Sequence, residues 1–277
     1  MIPIFNIFGK DISAYMIMGA IGALAALYFG YKQAKKSGLD EINMTAMFCL
    51  CGIGILLGGH LMYGITMYDK LILVLKNIDM IDSFQKFTTA VKIVFGGSVF
   101  YGGLIGVLII GFVFCKKQKL DMGAYFDVGA AAIPLFHFFG RLGCFLGGCC
   151  YGIPCDFGVT FHYSPVESCN GVRRFPVQLV EAFLNLCLFF FLTYCIRRGF
   201  FKRRLLGLYC LIYPCYRYIL EFYRDDDDRG TVGILSTSQF ISLVFIIVTI
   251  FVLIYINRQS NACTQACTDK KKGGRGG

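Results

Sequence analysis

Between Pro134 and Cys155 the sequence reads PLFHFFGRLGCFLGGCCYGIPC, an apolar run that meets one arginine, Arg141, and then a dense set of glycines and cysteines. A guanidinium at the end of a membrane-length apolar run is costly, so it is usually kept with a partner and a task. Glycines beside it let backbone and ligand approach closely. The plainer account is an arginine that snorkels to an interface ahead of a flexible loop. A second stretch has the same character: in YPCYRYILEFYR, Arg217 and Glu221 stand four apart on one helix face, with Arg224 near that face. An ion pair that seats a helix end would explain Arg217 and Glu221 alone. Two arginines around one acid leave net positive charge, and the two-donor fork of a guanidinium suits a lipid phosphodiester. Gln178 and Glu181, three apart in FPVQLVEA, can satisfy each other or orient an arginine. Ser236, Gln239 and Ser242 recur at spacing three, which equally suits hydrogen bonding between helices.

The elements that must position these residues are membrane spans. The chain has 277 residues, 56% of them hydrophobic and only 16% charged, and several runs reach the ~20 apolar residues that cross a bilayer. An all-α polytopic fold follows, with seven spans at roughly Ala14–Gly30, Met44–Met67, Ile93–Cys115, Met122–Phe139, Pro176–Ile196, Leu205–Phe222 and Val232–Ile256. Residues 1–258 read as a single transmembrane domain, and residues 259–277 as a polar, basic tail expected to be disordered. Basic residues fall on alternate loops: Lys32, Lys35 and Lys36, then Lys116, Lys117 and Lys119, then Arg197 to Arg204, then the tail. The positive-inside rule makes those loops cytoplasmic, so the N-terminus lies outside, the C-terminus inside, and both arginine stretches near the outer face. The net charge of +10 therefore sets topology and meets anionic lipid; a nucleic-acid partner is not expected. No removable signal peptide is expected at the N-terminus.

Glycines are dense at membrane depth, at positions 52, 54, 58, 59, 96, 97, 102, 103 and 106, and close packing through small residues explains most of them. It explains less well their polar neighbours His60 and Tyr101. Half of the fourteen cysteines fall inside spans, where cysteine behaves as a small hydrophobe. Cys144, Cys149, Cys150 and Cys155 could take a metal or form disulfides, but their spacing is unfamiliar and neither is expected. No cofactor is expected.

Seven stretches, in order, resemble the prolipoprotein diacylglyceryl transferases: AYMIMGAIG (14–22), LLGGHLMY (56–63), GGSVFYGGLIG (96–106), GRLGCFLGGCCYG (140–152), FPVQLVEA (175–182), YPCYRYILEFYR (213–224) and LSTSQFISL (235–243). The resemblance runs nearly end to end. It implies an enzyme of the bacterial cytoplasmic membrane, with its active site toward the outer face. Such enzymes move the diacylglyceryl group of phosphatidylglycerol onto the lipobox cysteine in the signal peptide of a prolipoprotein, forming a thioether and releasing glycerol phosphate. The family's key arginines correspond to Arg141 and Arg217, its acid to Glu221, the following arginine to Arg224, its N-terminal tyrosine to Tyr15 and its closing glycine to Gly152. Gln178 and Gln239 join this lipid-binding set. The chain also departs from the pattern. Tyr101 and Phe175 stand where the family has histidine, Cys144 where it has asparagine, Cys149 where it has an acid, Val180 where it has tyrosine and His60 where it has arginine. Two other functions stay open on these departures: a related transferase with a different acceptor, and a non-catalytic lipid-binding protein on the same scaffold.

Transfer of this kind needs an electrophilic carbon held in line with a thiolate, and stabilisation of the departing phosphate. Arg141 and Arg217 suit the second task. For the first, the thiol must lose its proton, and a phenol such as Tyr101, with a pKa of ~10, is a poor base. His137 lies one turn before Arg141 on the same face and could take the proton directly, or through Tyr101 or a water. A histidine simply hydrogen-bonded inside the bundle is the more ordinary arrangement. Tyr15, Tyr101 and His137 are thus the catalytic candidates. Single cysteines introduced at Lys35 and Asp226 should label from opposite sides of the membrane; labelling from one side would overturn the topology.

Overall fold

The computed structural model describes residues 4–7, 10–97, 100–164, 166–225 and 231–273. Strands β1 (Ile4–Ile7) and β2 (Lys10–Ser13) pair antiparallel ahead of α1 (Ala14–Lys36). There follow α2 (Glu41–Thr66), α3 (Tyr68–Lys76), α4 (Phe84–Phe95), α5 (Phe100–Lys117) and α6 (Met122–Leu146). Strands β3 (Pro154–Thr160) and β4 (Arg173–Arg174) pair antiparallel before α7 (Val177–Arg198) and α8 (Leu205–Glu221). A last antiparallel pair, β5 (Thr231–Val232) and β6 (Leu235–Ser236), leads into α9 (Thr237–Gly273).

Among the described residues five helical segments are long and apolar enough to cross a membrane: Ala14–Lys36, Glu41–Ile65, Met122–Leu146, Val177–Arg198 and Ser238–Tyr255. The chain is thus a helical, polytopic protein. Helices α5 and α8, with 18 and 17 residues, are the shorter members of the expected set of seven. Three boundaries differ from the sequence reading. The span expected from Ile93 starts at Phe100, because residues 84–95 form α4, a separate amphipathic helix capped by Ser83, whose Oγ accepts from the Lys86 amide at 3.3 Å. The span expected to end at Phe139 continues to Leu146, so Arg141 sits within a helix rather than at the mouth of a loop. The last helix starts at Thr237 because the preceding residues turn back at Gly233, whose φ of 64° suits glycine. The three short strand pairs were not expected from hydropathy. Helix α9 continues through the polar tail to Gly273, and residues 274–277 lie outside the described set.

The chain divides into two compact units, one of residues 27–125 and one of residues 1–26 with 126–277. In the first, α2 and α5 meet through glycine. A Cβ on Gly58 or Gly102 would fall inside contact distance of the other's carbonyl, and Gly54 and Gly106 are related in the same way. This is the close helix packing expected for these glycines, made possible by the missing side chains. His60 Nδ1 lies 2.8 Å from the Phe95 carbonyl and 2.7 Å from that of Gly97, so this histidine ties down the end of α4.

In the second unit the register of α6 against α8 is fixed by Asp127. Its carboxylate accepts from the backbone amides of Leu205, at 2.9 Å, and of Arg203 at the start of α8, a favourable place for negative charge. Both helices rise from this point. At 1.5 Å per residue, Arg141 lies about 21 Å along α6 from Asp127, and Arg217 about 18 Å along α8 from Leu205. Two arginines far apart in sequence therefore reach a similar level. Helix α7 ends at Gly199, which takes a left-handed φ of 71° and returns its amide to Ile196 at 3.2 Å.

Gly58→Ala and Gly102→Ala should each destabilise the protein by at least about 2 kcal/mol through overpacking. Gly52→Ala, where an added Cβ meets nothing within 4 Å, should be neutral or slightly stabilising. Thermal unfolding of the three variants in detergent checks the contrast.

Candidate active site

Arg141 reaches from α6 to α7, where its Nη2 lies 2.9 Å from Glu181 Oε1. Glu181 is 1% exposed, and its Oε2 accepts no hydrogen bond among the described residues. A carboxylate can be buried so deeply because three guanidiniums, Arg141, Arg217 and Arg224, all act on it. Of the two roles open to Glu181, orienting an arginine is the one seen. Gln178, one turn earlier, turns away and donates from Nε2 to the Cys149 carbonyl at 2.8 Å. One turn later Asn185 donates to the Glu181 carbonyl at 2.8 Å and accepts from Tyr216 Oη at 2.9 Å.

Arg217 and Glu221 pair along α8 at 2.7 Å, and Arg224 Nε stands 3.7 Å from the same carboxylate oxygen. The other oxygen accepts from Ser236 Oγ at 2.9 Å, and Arg217 Nη2 donates to Ser238 Oγ at 3.3 Å. Arg217 Nη1, also buried, has no hydrogen-bond partner among the described residues. Ser236 and Gln239 cap α9 reciprocally: the Ser236 amide donates to Gln239 Oε1 at 3.0 Å, and the Gln239 amide to Ser236 Oγ at 3.2 Å. Gln239 therefore holds the helix start that brings the serines to Glu221 and Arg217.

The loop after α6 threads between the start of α7 and the end of α8. Ile153 donates its amide to the Tyr223 carbonyl and accepts from the Phe175 amide, at 3.1 and 3.0 Å. A Cβ on Gly152 would lie 2.5 Å from the Phe175 carbonyl oxygen and 2.7 Å from that of Tyr223, so only glycine fits this crossing. Arg174, which the sequence reading passed over, locks it. This side chain is 6% exposed, donates to the carbonyls of Gly152 and Ser168 and to the Asp225 carboxylate, and lies 4.6 Å from the Tyr151 ring centroid. Burial against Phe161 and Cys169 pushes the Tyr151 phenol up from its ordinary pKa, with Arg174 opposing. Nothing in local spacing marks Arg174; only the fold supplies its partners.

Within the unit of residues 1–26 and 126–277 the structure gathers most of the expected site residues. Tyr15 begins α1 beside the end of α6, where a Cβ on Gly143 would lie 3.2 Å from Tyr15 Cα. It is half exposed, within electrostatic reach of Arg141 and of Cys144, Cys149 and Cys150. His137 is tied into the bundle. Its Nδ1 lies 3.4 Å from Tyr209 Oη, and its ring centroid is 5.2 Å from that of Tyr213. Tyr101 opens α5, and its side chain lies outside the described residues. His60 belongs to the α4 cap. Of the four loop cysteines, three converge: the sulfurs of Cys144, Cys149 and Cys150 all lie within 4.8 Å of one another. Cys155 is apart, its thiol donating to the Phe157 carbonyl. Hydrogen bonds from Cys144 and Cys149 hold the Cys150 thiol well below its ordinary pKa, and the bonds from Cys144 and Cys150 push that of Cys149 up.

These features define a polytopic membrane protein whose arginines converge on buried glutamates beside a cysteine-rich loop. The sequence profile of the prolipoprotein diacylglyceryl transferases matches residues 3–255. A Clostridium tetani protein named phosphatidylglycerol–prolipoprotein diacylglyceryl transferase is 39% identical over 251 residues, 90% of this chain and 95% of that one. A second such transferase, from Clostridium perfringens, is 33% identical over 91% of this chain and 94% of its own. One from Campylobacter jejuni is 32% identical over 91% and 92%. The chain belongs to the prolipoprotein diacylglyceryl transferase family.

Removing one partner of a buried pair leaves a charge unanswered, so Glu181→Gln should cost about 3–5 kcal/mol. Replacing Arg141 and Glu181 together by leucine should recover most of that loss. Unfolding of the single and double variants tests whether the pair acts as a unit.

Proposed function

We propose that this chain transfers the diacylglyceryl group of phosphatidylglycerol to the lipobox cysteine of a prolipoprotein, at the outer face of the bacterial cytoplasmic membrane. One observation carries the reading. Arg141 meets Glu181 at 2.9 Å, Arg217 meets Glu221 at 2.7 Å, and Arg217 Nη1 is buried without a hydrogen bond among the described residues. A guanidinium edge left open inside an apolar bundle is costly and is usually kept for a task, and a phosphodiester accepts paired donors from guanidinium.

In this reading Arg141 and Arg217 take the lipid phosphate between them, while Glu181 and Glu221 fix their planes. The incoming thiolate attacks the glyceryl carbon that bears the phosphate, and the C–O bond pair leaves on the phosphate oxygen, where guanidinium meets the growing charge. Tyr15, half exposed beside Arg141, contacts the entering substrate. His137 is given a supporting role, because its ring faces Tyr209 and Tyr213. Seven spans, N-terminus outside and C-terminus cytoplasmic, place this centre toward the outer face, as the alternation of basic loops favours.

The purified chain, given phosphatidylglycerol and a lipobox peptide, should add one diacylglyceryl mass to the peptide cysteine. It should also sustain lipoprotein modification in cells depleted of their own transferase. Arg141→Lys and Arg217→Lys should each slow turnover by at least about 100-fold, because a point charge does not replace a fork; normal turnover in both would remove the phosphate role. His137→Gln should keep the wild-type pH profile of turnover, whereas a lost limb in that profile would make His137 the base.

A further inference from the structure

The three converging thiols are not needed to bind phosphate. Cys144 lies in the last turns of α6, and the Cys149 amide donates to its carbonyl at 3.1 Å. Cys150 takes a left-handed φ of 61°, a conformation a non-glycine residue keeps only where its surroundings impose it. That turn lets two consecutive cysteines both reach Cys144. The loop is pinned on each side of them: Gln178 holds the Cys149 carbonyl, and Ser164 Oγ donates to the Gly148 carbonyl at 2.7 Å. All three sulfurs lie within 4.8 Å of one another, while zinc–sulfur bonds of about 2.3 Å set the sulfurs of a tetrahedral site about 3.8 Å apart. A shift of about an ångström closes the site. Among the described residues no fourth histidine, cysteine or carboxylate joins the group. Three protein ligands and an open corner are the arrangement of a zinc ion that binds substrate.

We propose that Cys144, Cys149 and Cys150 bind a zinc ion whose fourth position takes the thiol of the acceptor cysteine; this rests on the transferase reading above. Three thiolates on Zn²⁺ leave one negative charge, and Arg141 and Arg224 lie within electrostatic reach of Cys150 to offset it. The substrate thiol binds as thiolate and gives its proton to solvent, since a coordinating thiol is deprotonated outright. Its sulfur then forms the C–S bond as the glyceryl C–O bond breaks onto the phosphate. No electron is gained or lost, and no protein base is required. Arg141, which helps to offset the charge of the metal site, also faces the leaving phosphate, so nucleophile and leaving group are served from one place.

The test uses the full-length chain in detergent, reduced, loaded with zinc and desalted. About one zinc per chain is expected, with three sulfur neighbours at about 2.3 Å in X-ray absorption. Adding a lipobox peptide should raise the count to four sulfurs, and the same peptide with serine for cysteine should not. Cys144→Ser, Cys149→Ser and Cys150→Ser should each lose the metal on desalting, while Cys155→Ser keeps it. No retained zinc, a shell of nitrogen and oxygen, or a disulfide within the trio in the isolated chain would overturn the site. Transfer that runs equally fast after chelation and in the three serine variants would overturn its role and leave the transferase function standing. Zinc held by three sulfurs in a chain that transfers nothing would support the site and remove the function.

Discussion

The carboxylate of Glu181 is tolerable at 1% exposure only because Arg141 stands 2.9 Å away and Arg217 and Arg224 also act on it. Each ion drawn from water into such surroundings costs several kcal/mol, and attraction repays this only when the geometry is good. The arrangement here is deliberately incomplete. Glu181 Oε2 and Arg217 Nη1 are buried without hydrogen bonds among the described residues. Full satisfaction would give a more stable bundle. The surrounding scaffold supplies the missing restraint: Asn185 and Tyr216 hold α7 to α8, the Ser236–Gln239 cap presents two hydroxyls, and Arg174 pins the loop that crosses at Gly152.

Much of this was legible before any coordinates, and for physical reasons. Arg141 and Arg217 stand out because charge is rare in bilayer-length apolar runs. The four-residue step from Arg217 to Glu221 already states that they share a face. Glycines at 54, 58, 102 and 106 have no use for their lost helix propensity except close packing. What escaped depended on partners distant in sequence. Glu181 had two acceptable roles, and only the approach of α6 chooses between them. Arg174 looks like one of two ordinary basic residues until Tyr151 and Asp225 are brought to it. The cysteine trio spans a helix end and a left-handed turn, so its spacing resembles no metal motif. Boundaries were lost where glycine obscures hydropathy, as at Gly96–Gly97 and at Gly233.

The two units divide the work differently. In residues 27–125 the contacts are apolar and glycine-mediated, and His60 closes a helix end. In the other unit the polar side chains of α6, α7, α8 and α9 lie on mutually facing surfaces. A polar side chain among apolar helices thus has opposite meanings in the two units. His60 completes a local hydrogen-bond account, while Arg217 is held where its account stays open.

Asp127 has a consequence for how this sequence can vary. By gripping the first turn of α8 from α6, it makes the stretch from Leu205 to Arg217 a ruler with its zero mark at the far end from the site. One residue inserted there would turn Arg217 by about 100° and lift it about 1.5 Å, taking the guanidinium off the face that acts on Glu181. A substitution leaves the ruler intact, as long as the new residue is apolar and helical. Variation along this segment is therefore fixed in length and freer in spelling away from Tyr209 and Tyr216, and insertions belong beyond Gly199, before the ruler begins.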